Sequence, residues 1–302
     1  MKIYDLIIVG AGPAGITSSV YAARKRMDFL VITGDIGGQT AYSGDIENYT
    51  GYQFVTGREL VHKFEEHMRS YDTNVKEGEV VIEVERIGEI ITVKTNKAIE
   101  YQAKTVIIAS GKRSKELGVQ GEKEYKNKGV TYCATCDGPL FGDKRVAVIG
   151  GGNSALDAAL QLERIARKVY IINNTPGLGG DTIMRQKVEK ADNVEILNNS
   201  QVAAISGDKF VNSITVKSGE EEKKLAVEGI FVEIGLIPNS DFVKAVEKNK
   251  LGEIKINNGN ETNVPGIFAA GDVTDVPEKQ IVIAAGEGSK ACLSAFRYLA
   301  QH

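Results

Sequence analysis

Apolar runs alternate with amphipathic stretches along this chain, and the alternation predicts strands followed by helices. Residues 3–9 (Ile3-Tyr4-Asp5-Leu6-Ile7-Ile8-Val9) read as a strand buried on both faces. A glycine cluster follows at once, then a small-residue helix over Ala14–Arg24 and a second strand at Phe29-Leu30-Val31-Ile32. Residues 57–71 place Leu60, Val61, Phe64 and Met68 near i, i+3/4 spacing, the mark of an amphipathic helix. Residues 80–95 alternate as paired antiparallel strands do, and Thr105–Gly111 is a further buried strand ending in glycine. The scheme repeats from Arg145: a strand at Val146–Ile149, glycines, a helix over Ser154–Ala166, and a strand at Val169–Ile172. Short strands fill 194–234. After Pro238 the pattern predicts a return to helix and strand, reaching Gly266–Asp272, with a final helix from about Gln280.

The two glycine clusters are Gly10-Ala11-Gly12-Pro13-Ala14-Gly15 and Gly150-Gly151-Gly152-Asn153-Ser154-Ala155. Each sits between a strand and a helix, the context that a dinucleotide fingerprint requires. The first glycine permits the tight turn, the second lets backbone approach a pyrophosphate, and the third lets helix and strand pack closely. N–H groups at the helix start then hold the phosphates. Ala155 stands at the third position of the second copy, a variant that still packs closely. Gly10 and Gly150 hold equivalent places 140 residues apart, so one architectural idea occurs twice. The expected fold is α/β, with two dinucleotide-binding (Rossmann-like) three-layer domains. Short loops around 112–118 and 235–241 bracket the second unit. It is therefore expected to be inserted into the first, with domains at 1–112 plus 242–302 and at 113–241.

Composition narrows the class of function. At 302 residues there is room for two domains of ordinary size. With 42% hydrophobic and 25% charged residues, a soluble globular protein is expected rather than a disordered or fibrous one. A formal charge of −3, without a basic stripe, gives no case for nucleic acid. No apolar run approaches the ~20 residues of a membrane helix. The N-terminus enters a strand pattern directly, with no signal-peptide core, so cytoplasm is the expected compartment.

Three cysteines do not make a structural disulfide framework, and two of them form Cys133-Ala134-Thr135-Cys136. A pair at this spacing can close a small disulfide, and one thiol can be tuned into a good nucleophile. The competing account is half of a zinc site, but structural zinc takes four ligands. Only Cys292 remains, among small apolar residues where an inert buried thiol is expected, and His62 and His67 lie far away in sequence. No metal site is assigned. Asp137 is the nearest acid–base group, able to protonate a departing thiolate. Its alternative role is to cap the turn before Pro139.

These residues resemble a known family from end to end. The matching stretches are Gly37-Gly38-Gln39, Asp45-Ile46-Glu47-Asn48-Tyr49, Lys128–Cys133, Cys136–Phe141, Gly150–Ser154 and Ala269-Ala270-Gly271-Asp272. They are similar to the low-molecular-weight thioredoxin reductases, and more so to the flavoprotein subunit of alkyl hydroperoxide reductase without its N-terminal thioredoxin-like extension. The resemblance implies FAD along Gly10, Gly12, Pro13, Ala14 and Gly15, with Gly34 and Gly111 nearby. Gly38, Gln39 and Asn48 would line the flavin. Gly271 and Asp272 would meet the ribityl chain, and Lys279, Gln280 and Ile281 the ring region. It also implies that Cys133 attacks the partner's disulfide while Cys136 faces the flavin, in a homodimer whose nucleotide domain rotates between two orientations.

The second fingerprint (Gly150, Gly152, Asn153, Ser154) resembles a nicotinamide site. NADPH enzymes of the family carry an arginine cluster after the second strand, for the 2′-phosphate. Here the place reads Asn173-Asn174-Thr175-Pro176-Gly177-Leu178-Gly179-Gly180-Asp181, with neither those arginines nor the acidic residue of an NADH site. Asn173 can bond a ribose hydroxyl, so NADH is the preferred donor and NADPH the weaker one. Reduced ferredoxin or a deazaflavin is the alternative. The expected activity is FAD-dependent reduction of a protein disulfide through Cys133–Cys136. Thioredoxin is the leading partner, and a glutaredoxin-like protein or peroxiredoxin-reducing carrier the alternative. A flavin-dependent NADH oxidase with a vestigial dithiol is the reading from a different class.

Overall fold

A computed structural model of the chain describes residues 2–43 and 45–301, with every side chain among them except those of Tyr42, Asp45 and Cys136. The chain divides into two units, one of Met1–Arg113 with Ile237–His302 and one of Ser114–Leu236.

In the first unit a seven-stranded sheet is built around Ile3–Ala11. This strand pairs in parallel with Phe29–Ile36 on one side and Glu100–Ile108 on the other. Leu6, Ile7 and Ile8 are fully buried, as a central parallel strand covered on both faces demands. Glu100–Ile108 changes partner along its length. Its first half runs antiparallel to Ile90–Thr95, and its second half runs parallel to Ile267–Ala269, a strand that follows the other unit in sequence. Helix Gly57–Arg69 starts on a capping box between Thr56 and Glu59.

Two helices of this unit pack unusually closely. Pro13–Arg24 lies against Ile281–Gln301, and a Cβ added at Gly288 would come within 2.1 Å of the Ala14 carbonyl oxygen. The Ser18 hydroxyl donates to the Gly288 carbonyl at 2.9 Å across the same seam. Small residues (Ala14, Ser18, Ala284, Gly288, Ala291) let the two backbones approach.

The second unit has a five-stranded parallel sheet in the order Val130–Thr131, Gly229–Val232, Arg145–Ile149, Lys168–Ile172, Val194–Leu197. Helices Asn153–Glu163 and Thr182–Glu189 accompany it. An antiparallel sheet of Gln201–Gly207, Val211–Ser218 and Glu221–Ala226 supplies a third layer.

The structure departs from the sequence-based expectation in three places. The second strand reaches Ile36, and the helix placed at Ser154–Ala166 spans Asn153–Glu163. Between 239 and 266 no helix forms among the described residues; the segment is turns with isolated bridges. Its asparagines explain this. Asn249 accepts from the N–H groups of Leu251 and Glu253, Asn257 from those of Gly259 and Glu261, and Asn263 from that of Glu247. Side chains that satisfy nearby backbone donors compete with a helix ladder.

Gly288→Ala is expected to lower stability by roughly 1–3 kcal/mol, because backbone must shift to admit the methyl group. Gly286→Ala, two residues earlier with nothing within 4 Å of an added Cβ, should be neutral or stabilising. Denaturant unfolding of the two variants checks the contrast.

Candidate functional site

Each unit carries one glycine fingerprint, and the two are built alike. Gly10 (φ +100°) presses on the end of the neighbouring strand, where an added Cβ would lie 2.4 Å from the Ala109 oxygen. Gly150 (φ +132°) does the same against Glu233, at 2.2 Å. Neither position admits a side chain, by conformation or by space. Gly12 and Gly152 behave oppositely: each caps the N-terminus of its helix, and an added Cβ would meet nothing within 4 Å. Backbone left open over a helix start is the cradle that a dinucleotide pyrophosphate occupies. Gly15 lies so near the turn that a Cβ would stand 1.9 Å from the Gly10 oxygen. Its counterpart Ala155 is fully buried.

In the first unit, residues distant in sequence are brought together. Gly271 lies against Ala14 and Ala284, joining the first fingerprint to the last helix. The Asn48 amide donates to Gln280 at 3.1 Å, and Gln39 donates to the Lys112 carbonyl at 3.3 Å. Gly38 and Gln39 belong to a 3-10 turn, Gly38–Tyr42. Gly111 is open, with nothing within 4 Å of an added Cβ, and Ile281 starts the last helix. Gly34 stands apart on an exposed stretch of its strand, beside Val80. The Asp45 side chain lies outside those described.

A charge cluster that the sequence pattern did not announce sits beside Asp272. Glu253 is buried and pairs with Lys112 at 2.9 Å and with Lys279 at 3.1 Å, while Asn249 donates to its second oxygen at 2.7 Å. Burial would raise the Glu253 pKa, but the bonds from Lys112, Asn249 and Lys279 outweigh it and hold the carboxyl at about 2. Lys279 also donates to the Thr274 carbonyl. Burial pushes the Asp272 carboxyl up, against the pull of Lys279 and Lys112. No motif advertised Glu253 or Lys112, because they act through tertiary placement.

In the second unit the cysteine loop follows Val130–Thr131. Cys133 is disulfide-bonded; the Cys136 side chain lies outside those described. Asp137 heads the short turn Gly138–Phe141, yet its side chain makes no cap bond. It instead accepts from the Thr131 hydroxyl, whose oxygen also receives the Cys133 N–H at 3.2 Å. Thr131 therefore ties Asp137 to the cysteine. Next to it, buried Glu122 gathers the Tyr132 hydroxyl and the N–H groups of Leu117 and Gly118 at 2.6–2.7 Å. Cys292 is free and buried, its thiol pushed up by burial to about 12. Among the described residues no group of three or more metal-ligating side chains is assembled, and no helix is long and apolar enough to cross a membrane.

The specificity loop differs from expectation at Asn173. This residue is 2% exposed, and its amide is committed internally: it donates to Thr175 and Asn198 and accepts from the Thr175 hydroxyl and N–H. Its polar atoms hold the loop rather than face outward. The Arg185 guanidinium is likewise turned back, onto the Leu178 carbonyl and Thr182. Asn153 accepts from the Asp181 N–H, and Ser154 is exposed.

A family model described as pyridine nucleotide-disulphide oxidoreductase matches residues 4–288. The chain belongs to that family of enzymes. It is 43% identical to the F component of alkyl hydroperoxide reductase in Pseudomonas aeruginosa over 98% of its own length, and spans 58% of that relative. Among solved structures it is similar to Lactococcus lactis thioredoxin reductase, with a TM-score of 0.91, 34% identity and coverage of 99% and 100% of the two chains. The thioredoxin reductase of T. acidophilum gives a TM-score of 0.88 and 38% identity over 98% and 99%. Membership in this pyridine nucleotide-disulphide oxidoreductase family implies FAD and a pyridine nucleotide, and the open cradles at Gly12 and Gly152 fit two such ligands.

The low pKa of Glu253 has a consequence for acid stability. Because it is depressed in the folded state, it contributes stability that is complete above the ordinary value of 4.5 and is lost as pH falls through about 2. Glu253→Gln should flatten this part of the acid unfolding curve. It should also cost roughly 3–5 kcal/mol at neutral pH by leaving two lysines without their carboxylate. Denaturant titrations at stepped pH check both.

Proposed function

We propose that the chain is an FAD-dependent protein-disulfide reductase that takes electrons from a nicotinamide, with NADH preferred. The observation that carries this reading is a disulfide-bonded Cys133 on a loop of the unit that also holds the second open fingerprint. The unit of residues 1–113 and 237–302 would hold FAD through Gly10–Gly15, Gln39, Asn48, Asp272 and Lys279–Ile281. The unit of residues 114–236 would hold the nicotinamide nucleotide through Gly150–Ser154 and carry the redox pair. When bound, FAD supplies the two-electron link between a nicotinamide hydride and a disulfide.

The remaining chemistry falls to the chain's own side chains. Reduction of a Cys133–Cys136 disulfide leaves a dithiol; the Cys133 thiolate then attacks a disulfide on the partner, forming a mixed disulfide and expelling one partner sulfur. Cys136 resolves that bond, so the loop returns to its disulfide and the partner leaves as a dithiol. Asp137, oriented by Thr131, is the group on this loop that can hand a proton to the departing sulfur. The names of the similar proteins favour a thioredoxin-like protein as acceptor, with a peroxiredoxin-reducing carrier next; a glutaredoxin-like carrier as alternative acceptor and a homodimer as the working form are part of the proposal by family resemblance.

The preference for NADH rests on charge. Loop 173–181 offers no cation to a 2′-phosphate, and Asp181, which caps helix Thr182–Glu189, adds a negative charge there. A second reading, with a non-nicotinamide donor, is favoured by the internal commitment of Asn173.

Anaerobic titration of the FAD-loaded protein tests the donor: NADH should bleach the flavin at lower concentration than NADPH, and bleaching by reduced ferredoxin alone would overturn the assignment. Cys133→Ser should lower disulfide-reductase turnover by at least about a thousandfold. Flavin bleaching by the donor should persist in that variant, which separates the dithiol's role from the flavin's.

A further inference from the structure

Glu253 spends its whole carboxylate inside the first unit. One oxygen, Oε1, takes both the Lys112 ammonium at 2.9 Å and the Lys279 ammonium at 3.1 Å, while Asn249 donates to the other at 2.7 Å. The Glu253, Lys112 and Lys279 side chains are only 8%, 13% and 24% exposed, so water and salt screen the cluster weakly. Its ties run to three segments that carry expected flavin contacts. Lys112 offers its backbone carbonyl to the Gln39 amide at 3.3 Å. Lys279 donates to the Thr274 carbonyl and precedes Gln280, which accepts from Asn48 at 3.1 Å. Glu253 itself adjoins Ile254, whose N–H donates to the Val273 carbonyl at 2.9 Å, and the Thr274 hydroxyl closes the same turn on the Gly271 carbonyl at 2.8 Å. That turn, Gly271–Val273, carries Asp272.

We propose that Glu253 is a positioning residue of the FAD site: it gathers Lys112 and Lys279 beside the Asp272 turn, and the ammonium groups it holds there set how readily bound FAD is reduced. Two lysines against one carboxylate leave a positive charge in excess within the cluster. Reduction by the nicotinamide of the proposed reaction adds two electrons and one proton, so the cofactor gains one negative charge. A positive charge fixed nearby, where screening is weak, favours that product. Glu253 moderates the effect with its own charge and keeps both lysines in place. Glutamine at this position would still offer the lysines an acceptor but would remove the opposing charge. Methionine in place of Lys112 would remove part of the favourable charge and leave Glu253 to Lys279 and Asn249.

This inference rests on the reading of the first unit as an FAD site, and the experiment separates the two. The full FAD-loaded chain is reduced slowly and anaerobically at pH 7 together with a reference dye, and the flavin and dye absorbances give the potential of the bound flavin. Glu253→Gln should shift the equilibrium toward reduced flavin by about threefold to tenfold relative to wild type. Lys112→Met should shift it by a similar factor the other way. Opposite displacements from two substitutions in one cluster are not what loosened packing produces. Lys112→Arg restores the charge and should bring the equilibrium back to that of wild type, which keeps the test decisive even where Glu253→Gln fails to fold. Variants whose potentials coincide with wild type, or a Lys112→Arg that behaves as Lys112→Met does, overturn the proposal while a yellow wild-type protein leaves the flavin reading intact. Wild-type protein that takes up no FAD overturns both.

Discussion

The constraint on which both units depend is the contact of the first fingerprint glycine with the end of an adjacent strand. At Gly10 and Gly150 the chain leaves a strand with positive φ and passes within about a bond length and a half of a neighbouring carbonyl, as measured to an absent Cβ. That pinning fixes where the following helix begins. The next glycines, Gly12 and Gly152, then lie at helix starts with open space above them. An unobstructed helix N-terminus is therefore produced by crowding two residues earlier. In the second unit the carbonyl that crowds Gly150 belongs to Glu233, whose N–H in turn donates to the Ile149 carbonyl at 2.8 Å.

The cysteine loop itself owes little to regular structure. It leaves a two-residue strand and makes one short helical turn, Ala134–Asp137. What fixes it is a set of side-chain bonds: Thr131 to Asp137 and Cys133, Tyr132 to Glu122, and Thr135 to Gln161. Such a network specifies one geometry when every member is satisfied. The first unit shows the opposite electrostatic habit, with two lysines sharing one buried glutamate beside Asp272.

The alternation of apolar runs and glycines made the strands and fingerprints readable, because periodicity and steric need are local properties. Ile3–Val9 and Val146–Ile149 had to be buried strands, and the glycines after them had to turn. The cysteine pair was legible for the same reason: spacing alone implies a closable ring. What escaped was tertiary. Asn173 occupies a position where a ribose contact was expected, but the turn at Thr175 consumes its amide, a fact that no spacing reveals. Residues 239–266 carry apolar positions compatible with helix, yet asparagine side chains captured the backbone donors first. Glu253 and Lys112 matter only because folding brings them beside groups far away in sequence.

The seam between Pro13–Arg24 and Ile281–Gln301 has a consequence for biogenesis. A polypeptide emerges from its N-terminus, and the sheet strand Ile267–Ala269 and the helix that buries Ala14 are translated after the whole of Ser114–Leu236. The contiguous unit can close while its host is still missing a strand and a helix. The first fingerprint must wait, half built and with apolar surface uncovered, until the last segment leaves the ribosome.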